Sequence, residues 1–200
     1  MPRPPLATRY TGKFMRLFTG ISLPFEVRRN LELLLQHLQP LADLQWSPAA
    51  NFHITTKFVG EWPDARLEEL KQALRAMPKP APFTAGMAGL GWFPNPHHPR
   101  VFFAGVSAPA ALGELASATA EALAASGVER EPRDYSPHLT LARIKNAPDL
   151  LPLKRAIAGL PSVDFGRLDV RKFQLYASTP GASNAGASAS VYSVLEEFPL

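Results

Sequence analysis

Two tripeptides of one grammar, His53-Ile54-Thr55 and His138-Leu139-Thr140, each sit inside an apolar run, Asn51–Val59 and Ser136–Ile144. Side chains alternate between the two faces of an extended strand. His53 and Thr55 therefore share one face and Ile54 takes the other; His138, Thr140 and Leu139 divide in the same way. The fold must accommodate two strands that each present an imidazole with a hydroxyl beside it. With five histidines and nine threonines in 200 residues, chance placement gives roughly 0.2 such triplets, so two is an excess. A single such histidine is more often a hydrogen-bonded core residue. A matched pair in similar strands points to two-ended acid–base chemistry.

The rest of the chain supplies a frame for the two strands. Phe14–Ser22 reads as a strand, and Pro24 opens a helix whose Val27, Leu31, Leu34, Leu35 and Leu38 fall at helical spacing before Pro40. Leu44–Ser47 fits a short strand and Asn51–Gly60 the first histidine strand. Pro63 starts a second helix with Leu67, Leu70, Leu74 and Met77 on one stripe, ended by Pro78, Pro80 and Pro82. Phe83–Phe93 and Arg100–Ser107 read as strands about a proline-rich turn. Pro109–Ser126 is an alanine-rich helix with Leu112, Leu115, Thr119, Ala122 and Leu123 inward and Gly127 as its stop. Ser136–Ile144 is the second histidine strand, Pro148–Gly159 a short helix, and Val163–Ser178 and Ser190–Phe198 a final strand pair around a flexible Gly/Ser/Ala loop, 179–189.

This mixed order favours an α+β fold over a doubly wound parallel sheet. Strand, helix and histidine strand recur, with the two motifs 85 residues apart, as 138 − 53 gives. A bilobal, pseudo-twofold arrangement would bring both histidine strands to a shared cleft. We expect a basic, proline-containing leader at 1–13, without fixed structure, and one bilobal domain over 14–200.

Composition narrows the chemistry. There is no cysteine, which excludes disulfides, thiolate zinc sites and thiol catalysis, and is compatible with a cytoplasmic location. No apolar run approaches the 18 residues of a membrane span. No Gly-x-Ser-x-Gly elbow and no Gly-rich Lys loop is present. His97-His98 lies between Pro96 and Pro99 with no ligand set of defined spacing, and reads as a plain loop. His37, beside Leu38, reads as a surface or boundary residue. The net charge is +4, unevenly placed: residues 1–30 hold six basic side chains against Glu26, and residues 143–172 hold seven against three acids. Such stretches suit an anionic partner, RNA included, or merely a solvated surface. Tyr135 and Phe18 could stack on a base, though aromatic residues in strands are more often core, and Trp46, Trp62 and Trp92 carry the same ambiguity.

The segments FHIT with TKFVGEW, PHLTLAR, the opening RLFTGISLP and the closing VYSVLEEFPL resemble the 2H phosphoesterase superfamily, and within it the RNA 2′,3′-cyclic phosphodiesterase group, historically called 2′-5′ RNA ligases. The resemblance covers roughly residues 14–200. It implies two mainly antiparallel sheets lining a central cleft with helices outside, and hydrolysis of RNA 2′,3′-cyclic phosphate ends to 2′-phosphomonoesters without a metal ion or other cofactor. It implies an RNA or oligonucleotide partner; beside it we expect no membrane partner and a monomer. Carried over, His53 is the proton donor to the leaving O3′ and His138 the proton acceptor that activates water. Thr55 and Thr140 bind phosphoryl oxygens, and Arg143, five residues after His138, binds substrate near the phosphate. The family usually has an aliphatic residue after the first threonine; here it is Thr56, which should face away from the cleft and change packing only. Two histidines titrating near neutrality predict a bell-shaped pH profile. The alternatives are 2′-5′ end joining on the same fold, and an RNA-binding module without turnover.

Overall fold

The structure is a computed structural model that describes residues 13–146, 148–181 and 190–200. The first twelve residues of the expected leader and most of the Gly/Ser/Ala loop, 182–189, lie outside the described residues. Lys13 is tied down: its carbonyl accepts the Asp64 N–H at 3.0 Å.

In chain order the elements are β1 (Phe14–Ser22), α1 (Phe25–Leu38), β2 (Gln45–Trp46), β3 (His53–Pro63), α2 (Leu67–Ala76), β4 (Phe83–Phe93), β5 (Val101–Ser107), α3 (Ala110–Ala125), β6 (His138–Arg143), α4 (Leu151–Ala158), β7 (Asp164–Val170), β8 (Lys172–Pro180) and β9 (Ser190–Pro199). Every strand pairing is antiparallel. They form a four-stranded sheet in the order β3-β1-β8-β9 and a five-stranded sheet in the order β2-β6-β5-β4-β7. Each histidine strand thus lies at or next to the edge of its own sheet.

The helices form where apolar spacing demands it. α1 buries the five residues whose spacing predicts it, Val27, Leu31, Leu34, Leu35 and Leu38. α3 buries Leu112, Leu115, Ala116, Thr119 and Leu123, leaving Ala122 half-buried. Gly127, at φ +99°, ends it. Its N–H reaches Ala124 O and the Val128 N–H reaches Leu123 O, both at 3.0 Å, the paired bonds of a Schellman cap. The helices pack crosswise. α1, from the first half of the chain, lies on β7 of the five-stranded sheet, and its Asn30 amide donates to Phe165 O at 3.1 Å. α3, from the second half, packs on β3 of the other sheet. One continuous apolar core joins both sheets.

Besides shorter ends at β6 and α4, three differences from the sequence reading stand out. Val163–Ser178 is two strands, not one: β7 closes the edge of one sheet, and after Arg171 the chain crosses to become β8 in the middle of the other. No proline or glycine marks this crossing; only Arg171-Lys172 stands there, and beyond it the burial changes from alternating in β7 to continuous over Phe173–Ala177 in β8. Pro63 ends β3 instead of starting a helix; a single 3-10 turn over Asp64–Arg66 separates it from α2. Thr179 and Pro180, expected in the loop, extend β8.

Candidate active site

β3 and β6 bring their histidines to one cavity of about 450 Å³. All five residues expected in the site, His53, Thr55, His138, Thr140 and Arg143, line it.

The two rings are held alike. His53 Nδ1 lies 2.7 Å from the Asn51 carbonyl oxygen, and His138 Nδ1 lies 2.8 Å from that of Ser136, in each case two residues back. A carbonyl only accepts, so Nδ1 carries the proton and Nε2 is the side left for proton exchange. The two Nε2 atoms then differ. Thr55 Oγ1 lies 2.9 Å from His53 Nε2, while among the described residues His138 has no second hydrogen-bond partner.

Aromatic packing fixes the ring planes. His53 lies on Phe18 with centroids 4.6 Å apart and meets the edge of Tyr192 at 5.2 Å. His138 meets Phe93 edge-on at 4.9 Å and Phe103 at 5.6 Å. Gly20 makes the room for His53: a Cβ there would come 2.9 Å from Ile54 O and 3.3 Å from the imidazole Cδ2. Phe18, considered above as a base-stacking residue, is only 4% exposed and lies beneath the imidazole. Tyr135 is committed too, its hydroxyl donating to Thr55 O at 2.9 Å. Of the tryptophans, half-buried Trp46 lines the cavity, Trp62 is buried, and Trp92 packs on Phe102.

Burial pulls the His53 pKa from 6.5 down to about 4, with the charges of His138 and Arg143 adding to the effect and the bond to Asn51 opposing it. Burial lowers His138 as well, again helped by Arg143. Both rings are neutral at pH 7 when the cleft holds no anion.

A strap sets one histidine strand against the other. The Lys57 side chain is 2% exposed; its ammonium donates to Glu129 O at 2.7 Å and to the Glu131 carboxylate. With the Tyr135 bond to Thr55 O, this clasps the segment leading into β6 onto β3. Thr56 faces away from the cleft, as expected, 4% exposed, and its hydroxyl meets that of buried Thr19 at 2.7 Å.

Sequence reasoning missed Phe58, Tyr192, Asn51 and Ser190, which also line the cavity. Three cations of the basic stretches have local partners: Arg29 pairs with Glu32, Lys172 pairs with Glu197, and Lys154 donates to Pro96 O. His97 and His98 are exposed on their loop, where both backbone N–H groups donate to Asn95 Oδ1, and His37 is exposed on α1. Among the described residues no helix is long and apolar enough to cross a membrane.

Residues 21–103 and 105–185 match the family of LigT-like phosphoesterases. The chain belongs to that family. The LigT-like resemblance extends to individual proteins. The RNA 2′,3′-cyclic phosphodiesterase of Archaeoglobus fulgidus is 32% identical over 165 residues, covering 82% of this chain and 91% of that protein. The protein of the same name from Thermus thermophilus is 35% identical over 193 residues, covering 93% and 90%. The crystal structure of E. coli LigT complexed with 3′-AMP superposes with a TM-score of 0.75 at 25% identity, covering 94% of this chain and 99% of that one. That of the Thermus thermophilus protein TT0787 gives 0.74 at 31% identity, covering 93% and 98%. The α+β architecture expected from the sequence is the LigT-like one.

Proposed function

We propose that this chain hydrolyses RNA 2′,3′-cyclic phosphate ends to 2′-phosphomonoesters, with the two imidazoles as acid and base. One observation carries the reading: two rings from separate sheets, each with Nδ1 tied to a main-chain carbonyl, line the same cavity together with Thr55, Thr140 and Arg143. Relatives of the chain bear the corresponding enzyme name.

In the reaction water attacks phosphorus and gives its proton to His138 Nε2. The P–O3′ bond breaks, and O3′ takes a proton from His53 Nε2. The open Nε2 of His138 suits the acceptor role. His53 must arrive protonated, and the anionic phosphate diester supplies the missing stabilisation, raising the pKa that burial lowers. Thr55, Thr140 and Arg143 act as donors to the phosphoryl oxygens, where charge builds in the transition state; one such donor is worth roughly 2–4 kcal/mol.

The test is incubation with a 2′,3′-cyclic mononucleotide in EDTA, followed by ³¹P NMR. The expected product is the 2′-monophosphate alone. A 3′-monophosphate, or no turnover, overturns the proposal. Joined product from 5′-hydroxyl and cyclic-phosphate ends, without hydrolysis, assigns the cleft to end joining instead.

A further inference from the structure

The two histidine strands are alike beyond the histidine and the threonine. In β6 the residue after Thr140, Leu141, is an extra residue in the pairing with β5. In β3 the residue after Thr55, Thr56, is the extra one in the pairing with β1. Each bulge interrupts strict alternation and returns the residue five after the histidine to the cleft face. In β6 that residue is Arg143, opposite Val101. In β3 it is Phe58, opposite Phe18. The position that holds a cation for phosphate in one lobe holds an aromatic ring in the other. Phe58 is 51% exposed and lines the cavity beside Tyr192.

The surface continues outward from Phe58. On β1, Phe18, Arg16 and Phe14 alternate onto one face, each step about 6.6 Å along the strand. Phe14 is 52% exposed. Arg16 is exposed between Ser178 on one neighbouring strand and Glu61 on the other, and among the described residues no hydrogen bond or ion pair holds it. Val194, opposite Tyr176, is 50% exposed on the same face.

We propose that this open face of the four-stranded sheet carries the RNA chain leading 5′ from the cyclic phosphate. Beyond Phe58, which belongs to the cavity itself, Arg16 holds the next phosphate and Phe14 stacks the preceding base. The proposal rests on the hydrolysis reading above. Aromatic rings on a sheet face with a cation between them suit single-stranded nucleic acid, whose bases stack and whose phosphates pair with the cation. The surface runs directly out of the cavity that receives the chain's end. Arg16 and Glu61 interrupt its apolar area, which disfavours an apolar protein face as occupant.

The experiment compares kcat/KM for a 2′,3′-cyclic mononucleotide and for a trinucleotide ending in a 2′,3′-cyclic phosphate. Phe14→Ala is expected to lower the trinucleotide value about fivefold or more, with the mononucleotide value unchanged. Arg16→Ala should lower it too, and flatten its log–log salt dependence by about 0.7. Glu61→Gln should raise it. Phe58→Ala should depress both substrates. Trinucleotide turnover that Phe14→Ala and Arg16→Ala leave at the wild-type value and salt slope overturns this inference while hydrolysis stands. A change in elution volume on Phe14→Ala assigns the face to a second copy of the chain and also overturns it. Failure of the wild type on both substrates sinks the hydrolysis reading itself.

Discussion

Lowering the pH of the free protein tests the electrostatics of the site without any substrate. His53 has a pKa of about 4 in place of 6.5 because its ring is packed among Phe18, Tyr176 and Tyr192 and faces the charge of Arg143. An unfolded chain takes up that proton near pH 6.5; the native chain does so only near pH 4. Between these values the unfolded state binds more protons, so unfolding free energy falls as pH falls. The full difference is about 3 kcal/mol, and about 2 kcal/mol of it is lost between pH 7 and pH 5. The assay is urea denaturation at both pH values for the wild type and for His53→Asn. The wild type should lose about 2 kcal/mol more than the variant over that interval. A ¹⁵N-imidazole titration of the same protein should leave His53 neutral at pH 5 with its proton on Nδ1. Equal losses in the two proteins, or a His53 ring that titrates near 6.5, would refute the reasoning.

Three further outcomes follow from the same geometry. Arg143→Met should lower kcat/KM about 10²–10³-fold. It should also move the limbs of the kcat/KM–pH profile upward, because the Arg143 charge depresses both histidines; the wild-type maximum should lie below pH 6.5, and binding of the anionic substrate should place the kcat profile higher. Lys57→Met removes the clasp on Glu129 O and Glu131. It should cost about 1–3 kcal/mol in denaturation and lower kcat more than it raises KM, with partial recovery in Lys57→Arg. Gly20→Ala places a methyl 3.3 Å from the His53 ring and 2.9 Å from Ile54 O. A melting temperature several degrees lower and a reduced kcat are expected from thermal unfolding and steady-state kinetics.

Much of this molecule is legible in its sequence, for reasons that particular residues make plain. The buried stripe of α1 and the stop at Gly127 follow from apolar spacing and backbone geometry alone. The two His-x-Thr motifs mark the cleft because period-two alternation holds across those three residues. Alternation then fails. Continued from His53, it puts Lys57 in the cleft and Phe58 behind the sheet; the bulge at Thr56 does the reverse, burying Lys57 and exposing Phe58 to the cavity. The equal spacing of Phe58 and Arg143 from their histidines was the available signal, and it became readable only once the pairing register was known. The crossing at Arg171, the exchange of α1 and α3 between sheets, and the Lys57 strap are long-range choices. No local pattern encodes them.

The account turns on two imidazoles acting on one phosphate, and a double-substitution cycle at His53 and His138 tests this most directly. Values of kcat/KM for an oligonucleotide cyclic phosphate, measured in EDTA, should fall roughly 10²–10⁴-fold in His53→Ala and in His138→Ala. The double variant should be little worse than either single one, as for groups that act together. Wild-type turnover in either single variant, or losses that simply multiply in the double, would contradict it.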